Sequence, residues 1–180
     1  MLYLRVLLLA AFLTIATVGL SQKTDSTTFK IRIEAGPQVS IPINPALKTT
    51  QSIGFGATAR AAYYFTDKIS SGVRVNYDYF IGKKYEQNGV KDNYYNLTWT
   101  SVMANLQFEL GNYFFAGGDA GLGLLSIRGD VNAAFNASFY AGYTIKTKKN
   151  NIGIVLCWTQ AKKPTSYFES LGLRGQYNFN

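Results

Sequence analysis

From residue 29 to the C-terminus, apolar and polar residues alternate in one stretch after another. In FKIRIEAGPQVSIP (29–42), Phe29, Ile31, Ile33, Ala35, Pro37, Val39 and Ile41 share one parity, while Lys30, Arg32, Glu34, Gly36, Gln38 and Ser40 share the other. A period of two is the signature of a β-strand with one apolar and one polar face. The pattern recurs over 52–65, 69–80, 133–146, 152–160 and 166–180. In the last of these, Leu171, Leu173, Gly175, Tyr177 and Phe179 oppose Ser170, Gly172, Arg174, Gln176 and Asn178. Residues 113–127 set Phe114, Ala116, Ala120, Leu122 and Leu124 on the apolar side. Residues 94–110 change parity, with Leu97 and Trp99 on one face and Val102, Ala104, Leu106, Phe108 and Leu110 on the other, which predicts a bulge near Thr100. Pro37 lacks a backbone N–H and predicts a bulge or kink in the first strand.

These are eight strands, joined by tight turns at 66–68, 111–112 and 147–151 and by loops at 43–51, 81–93, 128–132 and 162–164. No stretch reads as a helix, and the longest polar loop is 81–93. A soluble domain seldom ends on an exposed apolar strand, because a free edge invites aggregation. A closed barrel in a membrane has no free edge, meets lipid with its apolar face and carries aromatics at both interfaces. The predicted fold is all-β: an eight-stranded antiparallel up-and-down transmembrane β-barrel. An even strand count puts both chain ends on one side, and strands of about 9–11 residues suffice to cross when tilted. The seventh is marginal at 152–160. The last strand is expected to close on the first, with Arg174 near Glu34 or another acid. Alternation alone also admits the inverse, a soluble periplasmic barrel with its apolar face inward around an apolar ligand. The length of the runs and the aromatic terminal strand favour the membrane.

Residues 1–21, MLYLRVLLLAAFLTIATVGLS, begin with Arg5 and continue through an apolar run too short to span a bilayer. Gly19 and Ser21 are small residues at −3 and −1 of a cleavage before Gln22. This is a secretory signal peptide, which leaves 22–180 as a single exported barrel domain.

Composition removes chemistry more than it adds any. The 180 residues carry a formal charge of +8, no His and one Cys. Without imidazole there is no Ser-His or Cys-His pair and no zinc site of the usual kind, and Cys157 has no partner for an internal disulfide. The reading is of a protein that is not an enzyme and has no cofactor. The basic residues are dispersed, with short clusters at Lys83-Lys84, 146–149 and Lys162-Lys163, which argues for solvated loops over a nucleic-acid footprint.

The alternation assigns Lys30, Arg32, Glu34, Arg60, Arg74, Asp78, Glu109, Asp119 and Arg174 to the lumen. A barrel of eight strands is just wide enough inside for side chains to fill it, and mixed signs allow pairing. The expectation is a structural charge network that plugs the lumen; the sharper alternative is a narrow ion path or pocket. Two carboxylate pairs, Glu34 with Asp78 and Glu109 with Asp119, are the candidates for acid/base work across the lumen, against which the nearby arginines argue for ion pairs. GGDAGLG (117–123) superficially resembles a phosphate loop but lies inside a strand, where glycines make room for large neighbours. The aromatics, Trp99 and Trp158 among them, are assigned to interface belts. Loop lysines Lys48, Lys83, Lys84, Lys91, Lys162 and Lys163 are placed near the outer leaflet, either to meet lipopolysaccharide phosphates or simply as solvated loop residues.

With FKIRIEAGPQVS in the first strand, FFAGGDAGLGLL in the fifth and LGLRGQYNF at the end, the chain resembles the PorT-like outer-membrane β-barrel family common in Bacteroidetes. The resemblance implies a bacterial outer-membrane location. Tyr177-x-Phe179 also resembles the terminal signal read by the barrel-assembly machinery, although Asn180 follows it. The function expected is structural or surface interaction through the outer loops, with a narrow pore or an accessory of a transport or secretion complex as the alternative. The protein partner stays open.

Overall fold

The computed structural model describes residues 31–87, 89–147, 151–163 and 166–179. The signal segment and Lys30 lie outside the described residues. Strands β1 (Ile31–Pro42), β2 (Gln51–Thr66), β3 (Ile69–Gly82), β6 (Leu97–Leu110), β7 (Phe114–Ile127), β8 (Asp130–Lys146), β9 (Asn151–Lys162) and β10 (Tyr167–Phe179) form one closed barrel, every neighbour pair antiparallel. The seventh barrel strand, marginal in the sequence pattern, runs to 12 residues. A second, two-stranded sheet pairs β4 (Lys84–Gln87) with β5 (Val90–Asn93), so the expected long loop is a projecting hairpin.

β10 closes on β1, setting Glu34 opposite Asn178, Gln38 opposite Arg174 and Ile41 opposite Leu171. Ile31 and Phe179, the outer ends of β1 and β10, thus sit at one end of the barrel, with the turn at 67–68; the β4–β5 hairpin rises from the other.

The two faces lie as a bilayer demands. Leu122 (70% exposed), Phe139 (65%), Leu173 and Leu156 (55%) are on the outer wall, whereas Arg60, Arg74, Asp78, Asp119 and Arg174 are buried within. The inverse arrangement, an apolar pocket in a soluble barrel, is therefore wrong for this chain. Aromatics gather on the outer wall near the terminal end. Tyr113 and Phe114 pack on Tyr143, Tyr63 on Phe65 and Tyr177 on Phe179, with ring centroids 4.9–5.7 Å apart. Tyr77, Tyr79, Phe55 and Tyr95 are exposed toward the hairpin end. These are the two girdles of a membrane barrel.

Three local expectations are corrected. Pro37 makes no bulge: it stays in register with Ala57, and the β1–β10 ladder only skips Gly36 and Pro37 before resuming the same register. Gly36 tolerates this because its Cα lies against the Gly175 carbonyl, where a Cβ would come within 2.0 Å. No bulge lies near Thr100 either, since β6 pairs with β3 and β7 without a shift from Leu97 to Phe108. Leu97 and Trp99 instead point into the lumen and are buried. Finally, the loop after β1 contains a helix, α1 (Pro45–Thr50), opened by proline in its first turn.

An apolar wall predicts a penalty for charge there. Leu156→Arg, near the middle of β9 on the outer face, is expected to destabilise the folded barrel by about 2–4 kcal/mol in lipid. Denaturant titration of protein in bilayers measures this, with the slower or faster gel migration of unboiled protein as the marker of the folded form. An unchanged midpoint would contradict the assignment of the faces.

Candidate functional site

The lumen has three layers. At the hairpin end, Leu47 of α1 packs down on Phe80, Leu97, Trp99, Leu125, Ala134 and Ala161. This apolar cap lies across the hairpin end of the lumen, and the short helix that delivers Leu47 is tied in place. Lys83 donates from its backbone N–H to Thr50 O at 2.8 Å and from Nζ to Lys48 O at 2.7 Å. Asn44 Nδ2 donates to Tyr167 O at 2.8 Å.

The middle layer is polar and fully enclosed. Arg60 is its hub: Nη1 meets Glu34 Oε2 at 3.2 Å, Nη2 donates to Ser70 Oγ at 2.6 Å, and Nε donates to Asn105 Oδ1. Arg74 Nε meets Asp119 Oδ1 at 3.2 Å, and its guanidinium lies 4.8 Å from the centroid of the Tyr140 ring. Asn105 Nδ2 donates to Asp119 and, at 2.7 Å, to Tyr140 OH, which donates on to Gln107. Gly117 and Gly123 in β7 make room for this layer: a Cβ at Gly117 would lie 2.4 Å from Tyr140 OH, and one at Gly123 would lie 2.2 Å from Asn136 Nδ2.

Arg174 is fully buried but does not reach Glu34, contrary to the expectation from sequence. Its Nε donates to Gln38 Oε1 at 2.8 Å, and Gln38 Nε2 donates to both oxygens of Asp78, at 2.9 and 3.0 Å. A neutral amide thus stands between this cation and this anion. Glu34 is already taken by Arg60 and by Gln176 Nε2. The terminal nitrogens of Arg74 and Arg174 find no hydrogen-bond partner among the described residues. Neither candidate carboxylate pair is joined: Glu34 and Asp78 have separate partners, as do Glu109 and Asp119.

The third layer opens at the terminal end into a vestibule of about 560 Å³, lined in part by Arg32, Tyr64, Asp67, Glu109, Thr144 and Lys146. Its floor is a continuation of the network. Arg32 Nη1 donates to Tyr64 OH at 2.8 Å, Tyr64 OH donates to Glu109 Oε1 at 3.2 Å, and Gln107 Nε2 donates to the same oxygen at 2.9 Å.

The rim lysines do not converge. Lys83 is engaged with α1, Lys91 faces Glu86 at 3.9 Å on the exposed hairpin, and Lys163 lies over the Phe168 ring. Lys48, Lys84 and Lys162 are exposed. On the same hairpin, the Asp92 carboxylate beside the Tyr85 hydroxyl holds that phenol above its usual range. Trp99, assigned to an interface belt, belongs to the cap, while Trp158 is on the outer wall, stacked on Phe139 at 6.0 Å.

Counting only charged residues overlooked the neutral connectors Gln38, Asn105, Gln107, Tyr64 and Tyr140. Their inward parity was legible in the alternation. The cap's sign was legible too, as the parity change at Leu97 and Trp99.

A closed eight-stranded barrel with an apolar wall and a filled polar lumen has the architecture of the small bacterial outer-membrane β-barrels. Solved structures of that class match it. Neisserial surface protein A aligns with a TM-score of 0.61 at 12% identity, over 82% of this chain and 95% of that one. The N-terminal β-barrel domain of Pseudomonas aeruginosa OprF aligns at 0.53 and 15%, over 84% and 100%. Ail, the attachment invasion locus protein of Yersinia pestis, aligns at 0.50 and 17%, over 85% and 100%. At these identities the likeness is one of fold. No protein-family model and no curated protein matches the chain.

The buried and exposed ion pairs should behave differently. Glu34→Ala leaves Arg60 without its carboxylate in a closed lumen and is expected to cost about 3–5 kcal/mol. Lys91→Ala breaks an exposed pair and is expected to cost less than about 1 kcal/mol. Equilibrium unfolding of the two variants in the same lipid gives the comparison, and equal losses would refute the layered picture.

Proposed function

We propose that the protein is a structural or surface-interaction barrel of the bacterial outer membrane, related to the PorT-like barrels, that displays its β4–β5 hairpin on a rigid scaffold. The observation that carries this reading is the doubly closed lumen. The Arg60–Glu34 and Arg74–Asp119 layer fills the middle, and the Leu47–Trp99 cap seals the hairpin end. A barrel built to conduct would keep an open path. The chain ends and short turns face the periplasm in this reading, as in barrels whose outer loops are the longer ones. The hairpin and the rim lysines Lys48, Lys83, Lys84, Lys91, Lys162 and Lys163 then lie at the outer leaflet, where lipopolysaccharide phosphates are their natural counter-charges. The closing strand β10, with Tyr177 and Phe179 outward, is the segment offered to the barrel-assembly machinery.

A second reading, a narrow pore or an accessory of a transport complex, draws on the vestibule, which enters the barrel from one side. Planar-bilayer recording separates the two. The expected result for purified protein is a quiet membrane, whereas steady channels of defined conductance would overturn the plugged scaffold.

A further inference from the structure

We infer that the vestibule at the terminal end is a binding site for a short peptide with free termini. Arg32 and Glu109 are held by the same phenol, that of Tyr64, through bonds of 2.8 and 3.2 Å. The two bonds keep the guanidinium nitrogen and the carboxylate oxygen within about 6 Å of each other. Opposite charges at that separation, facing one cavity, match a ligand that carries both a carboxylate and an ammonium. A simple anion would meet Glu109, and a simple cation would meet Arg32.

Among the described residues, the geometry leaves both charges with capacity. Arg32 uses one terminal nitrogen on Tyr64, and its guanidinium plane lies over the Tyr64 ring at 4.4 Å, which fixes the fork in place. Both bonds to Glu109 fall on Oε1, so Oε2 receives neither Tyr64 nor Gln107. A guanidinium fork binds a carboxylate with two parallel N–H···O bonds, and the second carboxylate oxygen accepts from an ammonium. Asp67 and Lys146 continue the mixed lining outward along the wall.

Size and depth narrow the class. About 560 Å³ is within the usual range for small-ligand sites, and it exceeds what one amino acid fills. Beneath the floor, a smaller pocket bordered by Glu34, Gln107, Phe115, Gln176 and Asn178 holds only about 10 Å³. The site is therefore blind, and it suits binding or sensing more than passage. That the ligand comes from the periplasm rests on the orientation proposed above; the binding itself does not.

The test is an NMR titration of the whole barrel in micelles with four probes: dialanine with free termini, dialanine blocked at both ends, acetate and methylammonium. Dialanine is expected to give saturable shifts confined to amides near Arg32, Tyr64, Glu109 and Thr144, with the blocked peptide inert. Arg32→Gln and Glu109→Gln should each weaken dialanine about tenfold, and Arg32→Lys, which keeps the charge but lacks the fork, should recover only a minor part of the Arg32→Gln loss. Unboiled gel migration confirms that each variant is folded. Absence of shifts, equal binding of the blocked peptide, or acetate or methylammonium binding as well as dialanine would each overturn the inference. The bilayer recording fails or succeeds independently, because it reads conduction and not ligand.

Discussion

The constraint on which this structure depends is that hydrocarbon offers no hydrogen bonds to a backbone. Every N–H and C=O along the wall must find a partner within the sheet, and only closure removes the last edge. That closure is the β1–β10 seam, and it holds a single register from Ile33 opposite Phe179 to Pro42 opposite Ser170. The one imperfection follows from chemistry. Pro37 has no N–H to give, so the ladder skips it and Gly36, and the missing Cβ of Gly36 lets the strands stay close. A bulge would have been the alternative, but it would have moved every later side chain of β1 to the wrong face. Keeping parity outweighed one lost ladder bond.

Parity explains what the lumen charges do for the fold. A one-residue slip of β2, β3 or β10 would turn Arg60, Arg74 or Arg174 toward lipid. Each arginine at mid-depth would add about 2–4 kcal/mol, several times the gain of an ordinary hydrogen bond. An apolar lumen filling would carry no such penalty against misregister. The buried network is thus best understood as a specifier of register, consistent with the modest net stability that buried ion pairs contribute.

How much of this was legible in the sequence follows from the same physics. Alternation is imposed by lipid on one side and packing on the other, so the eight strands, their faces and the closing pair could be read from residues such as Ile31, Leu173 and Phe179. Partners inside the lumen could not. Strand tilt and stagger decide which inward side chains meet, and alternation is silent on both, so Arg174 is expected at Glu34 or another acid although Gln38 intercepts it. The reading failed outright where a local rule was applied too strictly. Leu97 and Trp99 were made lipid-facing by a bulge because a polar lumen was assumed throughout, when the end of the lumen is apolar. Helix α1 was missed because six residues with Pro45 and two threonines show no helical periodicity; its helicity comes from Leu47 packing on the cap.

The three layers also bear on what such a barrel is for. On the proposed scaffold reading, the charge layer in the middle and the apolar cluster above it act as two barriers in series, since a hydrated ion meets paired guanidiniums and then an apolar constriction. Neither barrier extends to the terminal mouth, where the same hydrogen-bonded chain, running from Arg74 through Asp119, Asn105, Tyr140, Gln107, Glu109 and Tyr64 to Arg32, emerges into solvent. The interior is therefore not a uniform plug. It is rigid where it is closed, and that rigidity is passed to the Tyr64 phenol on which Arg32 rests. Residues held by a packed network reach a ligand with little ordering left to lose. A mouth that only ended the barrel would need no such support, and loose solvated side chains would serve it equally well.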